Sequence, residues 1–144
     1  MKDRDEYYMR EALKEARKAL SAGEMPVGAV VVCGERIVAR AHNQTELLND
    51  ATAHAEMIAL TAAMSYLNAK YLPDCTLYVT LEPCSMCSGA VYWSKLGRLV
   101  YGASDMQRGY EHLHCPLHPK TRVRSGVLAE EAAKLIKDFF KDKR

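Results

Sequence analysis

His54-Ala55-Glu56 and, after 26 intervening residues, Pro83-Cys84-Ser85-Met86-Cys87 decide how this chain of 144 residues is read. Imidazole and thiolate are donors that zinc takes, and a catalytic zinc keeps three protein ligands with a fourth position open to water. His54, Cys84 and Cys87 make such a set. The two cysteines stand three apart, so on a helix their sulfurs share one face, a turn apart. Pro83 suits the first turn of that helix, whose positive dipole end favours thiolates. His54 reads as a first-turn residue of another helix, so two helix N-termini are expected to meet at one metal. Glu56 is expected to point away from His54, beside a metal-activated water whose proton it takes and returns without ligating the metal. A structural zinc site is normally closed by a fourth Cys or His, and a bare C-x-x-C also suits a redox pair. Neither of those readings gives Glu56 a task.

Outward from this pair of motifs, hydrophobic periodicity supplies the elements. A first helix reads from about Asp5 to Ala22, with Met9, Leu13, Ala16 and Leu20 along one face and Gly23 stopping it. Pro26 opens a β-branched run from Val27 to Cys33; Gly34-Glu35 turns the chain, and Arg36 to Ala41 returns as its partner. Asn49, Asp50 and Thr52 offer N-caps for a second helix to about Asn68. Thr76 to Leu81 reads as a strand, Pro83 to Ser94 as a third helix, and Leu99 to Tyr101 as a short buried strand. The stretch from Gly102 to Lys120, rich in His and Pro, is irregular with room for one short helix. A last strand fits within Thr121 to Val127, and an amphipathic helix runs from Leu128 to Lys141. That order puts helices on a mixed sheet.

A hydrophobic content of 49% with 26% charged residues excludes disorder and coiled coil as the main architecture. No repeat or Pro/Gly/Ser-rich linker divides the chain, so residues 1–144 read as one domain, which at this length buries a sizeable core. No apolar run approaches the ~18 residues that span a bilayer, and Met1 to Glu6 lacks the apolar centre of a signal peptide. No membrane partner and a cytoplasmic location are expected. Five cysteines form an odd set unlike a disulfide framework; Cys33 and Cys75 read as small buried hydrophobes. Residues 1–72 carry a net charge of −1 and residues 73–144 one of +3, gathered at Lys120, Arg122, Arg124 and from Lys134 onward. Such a surface suits a polyanion or simply a solvated helix end. Trp93 and Tyr92 read as core, with a subunit interface as the alternative. His112, His114, Cys115 and His118 are too exposed by their flanking prolines to be read as a second metal site.

The joint pattern H-x-E…P-C-x-x-C resembles the zinc nucleobase-deaminase signature. The chain is similar to the cytidine deaminase superfamily, and within it to the bacterial tRNA-specific adenosine deaminases. The likeness runs through Met25-Pro26-Val27-Gly28-Ala29-Val30, Asn43, Ala51-Thr52-Ala53-His54-Ala55-Glu56, Leu77 to Cys84, Tyr101-Gly102-Ala103-Ser104-Asp105 and Asp138-Phe139-Phe140. It implies a three-layer α/β/α fold with a central mixed five-stranded sheet and one Zn2+ per subunit on His54, Cys84 and Cys87. Glu56 becomes the proton shuttle. Asn43, the Ala55 N–H, Val27 and Pro83 shape the base pocket, and Asp105 lies beside the nucleotide backbone. The implied reaction converts the wobble adenosine of a tRNA anticodon loop to inosine, in a homodimer whose basic C-terminal helix touches RNA. The chain departs from the pattern at Gln44, where the family commonly has Arg, and in a shorter loop after Asp105. Those departures keep a second reading in play, a deaminase of a free nucleobase or nucleoside such as guanine or cytosine.

Overall fold

The computed structural model describes residues 3–143. Helix α1 (Arg4–Ser21) is followed by the hairpin β1 (Gly28–Cys33) and β2 (Arg36–His42), then α2 (Ala55–Leu67), β3 (Cys75–Leu81) and α3 (Ser85–Trp93). The chain ends with β4 (Arg98–Ala103), β5 (Arg122–Arg124) and α4 (Ala129–Asp142). The five strands lie in the order β2-β1-β3-β4-β5; β1 runs antiparallel to both its neighbours, and β3, β4 and β5 run parallel. Helices α1 and α4 cover one face of the sheet and α2 with α3 the other. This is the mixed five-stranded α/β arrangement that the resemblance implies.

The two faces bury different sets from the same strands, because successive side chains alternate across a sheet. Ala29, Val31, Leu77, Val79, Leu99 and Tyr101 pack under α2 and α3 with Ala59, Leu60, Ala63 and Val91. Val30, Val32, Tyr78 and Val100 meet Tyr8, Met9 and Ala12 of α1 on the reverse. Helix α1 lies so close to β1 that a Cβ on Gly28 would overlap the Ala12 carbonyl, which makes glycine a packing requirement there.

Several expectations are corrected. Helix α2 begins at Ala55 with His54 as its N-cap, past all three offered caps, because the Asp50 carboxylate accepts from Thr52 N and Oγ1 (2.8 Å each) and closes a local turn instead of capping a helix. Pro83 lies before α3, with Cys84 at its N-cap position. The stretch from Gly102 to Lys120 contains turns and no helix among the described residues. Trp93 is 75% exposed, so it is not core. Arg124 does not add to a free basic surface: it pairs with Asp3 (2.9 Å) and Asp5 (2.7 Å).

That pairing is part of a cluster that pins the start of α1 to β3, β4 and β5. Asp5, buried, accepts from both guanidinium nitrogens of Arg98 (2.7 and 2.6 Å), from the Tyr78 hydroxyl (2.7 Å) and from Arg124. Arg98, against the opposing cost of burial and with help from Tyr78 and Arg124, holds the Asp5 carboxyl well below its ordinary 3.8. A depressed carboxylate contributes stability that is present above its unfolded pKa and is lost as pH falls toward the folded value. Asp5→Asn is therefore expected to cost about 3 kcal/mol at pH 7. Urea titrations of both proteins should show that difference constant down to about pH 4 and then narrowing, by up to about 1.4 kcal/mol per pH unit.

Candidate metal centre

The antiparallel β1 starts, and the parallel β3 ends, at the same edge of the sheet. Helix α3 follows β3 after Glu82, Pro83 and Cys84, and α2 starts beside the end of β2. Both helix N-termini consequently face one point. His54 and Cys84 are the N-cap residues of α2 and α3, and neither side chain caps its own helix. They turn toward each other instead: the His54 Nδ1 lies 3.7 Å from the Cys84 Sγ and 3.6 Å from the Cys87 Sγ. Tetrahedral bonds of ~2.3 Å to sulfur and ~2.0–2.1 Å to nitrogen would separate those donors by about 3.6 Å. The donor set and its spacing therefore fit a tetrahedral metal with one position left over. Among the described residues this is the sole such cluster of His, Cys, Asp and Glu, and the histidines from His112 to His118 do not form one.

Because the His54 side chain is turned away, the first N–H of α2 needs another acceptor. Asn43, buried just past β2, supplies it: its Oδ1 accepts from Ala55 N at 2.8 Å. The Ala55 N–H, expected to help shape a base pocket, is thus engaged by Asn43, which itself lines a cavity at this site.

Glu56 is 4% exposed, in the first turn of α2. Burial pushes its carboxyl up to about 7, against the pull of the helix's own N–H, the His54 charge and a hydrogen bond with the Cys87 thiol. It stands closer to the donors than a simple outward projection from His54 suggests. A carboxyl poised near neutrality is suited to exchanging protons. The hydrogen bond from the Cys87 thiol, followed by that with the His54 ring, lowers the Cys84 thiol against the cost of its burial.

A cavity of about 170 Å³ opens onto these groups, lined by Val27, Asn43, His54, Glu56, Cys84 and Asp105 together with Met25, Thr45, Leu81, Glu82 and Arg108. Of the expected pocket residues, Val27, Asn43 and Asp105 face it; Pro83 stands behind, its carbonyl accepting from Tyr110 N at 2.9 Å. The Asp105 carboxylate also accepts from Gln107 N and Arg108 N, so it shapes its own loop. Thr45, Glu82 and Arg108 were not singled out from sequence. Arg108 lies three residues past Asp105, and that spacing was the available signal. The cavity shares Met25, Leu81, Asp105 and Arg108 with a second hollow of about 330 Å³, reaching Ile136 and Phe140 of α4.

Comparison with known proteins agrees with this geometry. The cytidine and deoxycytidylate deaminase zinc-binding region matches residues 2–103. The tRNA-specific adenosine deaminase of Aquifex aeolicus is 43% identical, covering 96% of this chain and 95% of its own. That of Bacillus subtilis is 44% identical over 97% and 91%. The chain belongs to the tRNA-specific adenosine deaminase family. A solved structure from work on A-to-I editing by tRNA:A34 deaminases superposes with a TM-score of 0.83 at 41% identity, covering 90% of this chain and 98% of the other. The guanine deaminase of Nitrosomonas europaea gives 0.80 at 26% identity, over 93% and 83%.

Removal of one donor from this three-donor set should be plain in the metal content. Cys87→Ala is expected to weaken divalent-metal binding by more than the ~10–100-fold that loss of an outer-sphere partner costs. Competition with a chromogenic chelator measures it.

Proposed function

We propose that this deaminase converts the wobble adenosine of a tRNA anticodon loop to inosine and ammonia, using one zinc ion per subunit held by His54, Cys84 and Cys87. Bound there, zinc would acidify a water molecule near neutral pH. Glu56 takes a proton from the attacking water as its oxygen bonds to C6 of the purine. It then delivers a proton to the departing amine, so that ammonia leaves and the carbon keeps the oxygen. Asn43, held by Ala55, offers its amide to the base, while Val27 forms a wall, Pro83 backs it from behind, and Asp105 stands beside the nucleotide backbone. A loop nucleotide is weakly stacked and is extruded at little cost.

The observation that carries the RNA reading over a free base is the continuity of the catalytic cavity with the hollow along Ser104 to Arg108 and α4. A free base needs one pocket, whereas a polynucleotide needs room for its neighbours. Relatives 43–44% identical over 96–97% of this chain carry the tRNA-specific name, whereas the guanine deaminases are 26% identical over 93% of it (Nitrosomonas europaea) and 40% identical over only 69% (Bacillus subtilis). No helix among the described residues is long and apolar enough to cross a membrane, and a cytoplasmic location follows from a tRNA substrate. Residues 1–144 then work as one deaminase domain.

A homodimer completes the reading. Trp93, Tyr71, Met57 and Met64 surround an open apolar hollow of about 340 Å³ on the outer side of α2 and α3, the helices that carry the ligands. Large exposed apolar groups clustered this way mark interfaces. Trp93→Lys should shift the protein toward a monomer in sedimentation velocity; an unchanged mass would remove this face from the interface.

Incubation of the zinc-loaded protein with an adenosine-containing anticodon stem-loop, beside free adenosine, cytidine and guanine, tests the substrate. Inosine is expected in the RNA alone, and turnover of a free base with the RNA untouched would move the protein to the free-base branch. Glu56→Ala should lower kcat by about 10²–10⁴-fold with the metal still bound.

A further inference from the structure

Glu82 sits between β3 and the ligand Cys84, is 4% exposed, and pairs with no cation among the described residues. Its two carboxylate oxygens instead accept backbone hydrogen bonds from the two ends of one loop. Oε1 accepts from Asp105 N at 2.9 Å and Oε2 from Glu111 N at 3.0 Å. Between those ends the chain carries Met106, Gln107 and Arg108, then returns against the Pro83-Cys84 segment, where Gly109 bridges Cys84 and Tyr110 N donates to the Pro83 carbonyl at 2.9 Å. The return is possible because residue 109 is glycine. A Cβ there would overlap the Glu82 carboxylate and the Asp105 carbonyl.

We propose that Glu82 and Gly109 are positioning residues for the RNA. They clamp the loop of residues 105–111 to the ligand-bearing segment, so that Asp105 and Arg108 meet the nucleotides flanking the target base at a fixed height above the reacting centre. This rests on the wobble-adenosine reading given above. Glu82 lines the catalytic cavity with both carboxylate oxygens engaged by the loop. Its carboxylate is matched to two N–H donors, and nothing smaller than two acceptor oxygens satisfies both. A glutamine of the same shape offers one acceptor and turns an N–H₂ toward the other donor. The loop would then leave its place at one end while Cys84, held by the backbone of β3 and α3, stays where it is.

The consequence is a split between binding and chemistry. With the stem-loop RNA as substrate, Glu82→Gln and Gly109→Ala should each raise KM about tenfold, with kcat held and metal content unchanged. Arg108→Ala should raise KM as well, and the Arg108→Ala/Gly109→Ala double variant should fall short of the product of the two single effects, since Gly109 acts in part by placing Arg108. A fall in kcat at constant KM, full additivity of the two substitutions, or metal loss in Glu82→Gln beside a wild-type-like Gly109→Ala would each overturn the clamp. Wild-type protein that leaves the RNA unmodified would overturn the wobble-adenosine reading itself.

Discussion

The approach of the His54 ring to two cysteine sulfurs, at 3.7 and 3.6 Å, is the constraint around which the molecule is arranged. Three metal donors cannot be gathered by one helix, so two helices must begin at one place. The sheet achieves this with one antiparallel and one parallel neighbour for β3: β1 starts where β3 ends, and β4 gives α3 room to cross back. Using both N-cap side chains as donors leaves the helix starts without local acceptors. Asn43 answers that need at α2 from outside the helix, which places its amide over the cavity as a by-product. One residue thus links a helix-capping requirement to the lining of the cavity.

The rim of the cavity is built by the same device on both sides. Glu24, 1% exposed, accepts from Glu46 N, Leu47 N and the Thr45 hydroxyl, and so fixes the loop that follows Asn43. Glu82 does the same for the loop that follows Asp105. In both cases a buried carboxylate is balanced by backbone donors, so no bulky cation is needed beneath the rim. Arg108 remains without an acidic partner at the mouth among the described residues.

Periodicity and turn chemistry located every strand and helix to within a few residues; the caps offered for α2 fall short because Asp50 closes its own backbone turn, and the short helix allowed between Gly102 and Lys120 is absent among the described residues. The metal donors were legible because their chemistry admits few residue types at fixed spacing. The rim was not. Glu24 and Glu82 look in sequence like any surface carboxylate, and nothing short of the chain path shows that they face backbone N–H groups from distant loops. Arg124 misled in the opposite sense: its charge was visible, but its partners Asp3 and Asp5 lie over a hundred residues away in sequence.

Burial alone does not decide what a carboxylate does here; the donors around it decide. Glu24 and Glu56 are both nearly inaccessible glutamates, Glu56 lining the cavity and Glu24 holding the loop that carries its neighbour Thr45. Burial opposes ionisation of Glu24, yet the N–H groups of Glu46 and Leu47 and the Thr45 hydroxyl overcome it and hold its carboxyl below the ordinary 4.5. Glu56 has fewer donors directed at it, so burial prevails and the carboxyl rises to about 7. The first is thereby fixed as an anion that anchors a loop, and the second is left able to gain or lose a proton near neutral pH. A buried carboxyl short of hydrogen-bond donors stays close to its neutral form, and one supplied with them stays ionised. Interchanging those environments would leave Glu56 ionised and let the loop held by Glu24 loosen as its anchor protonates.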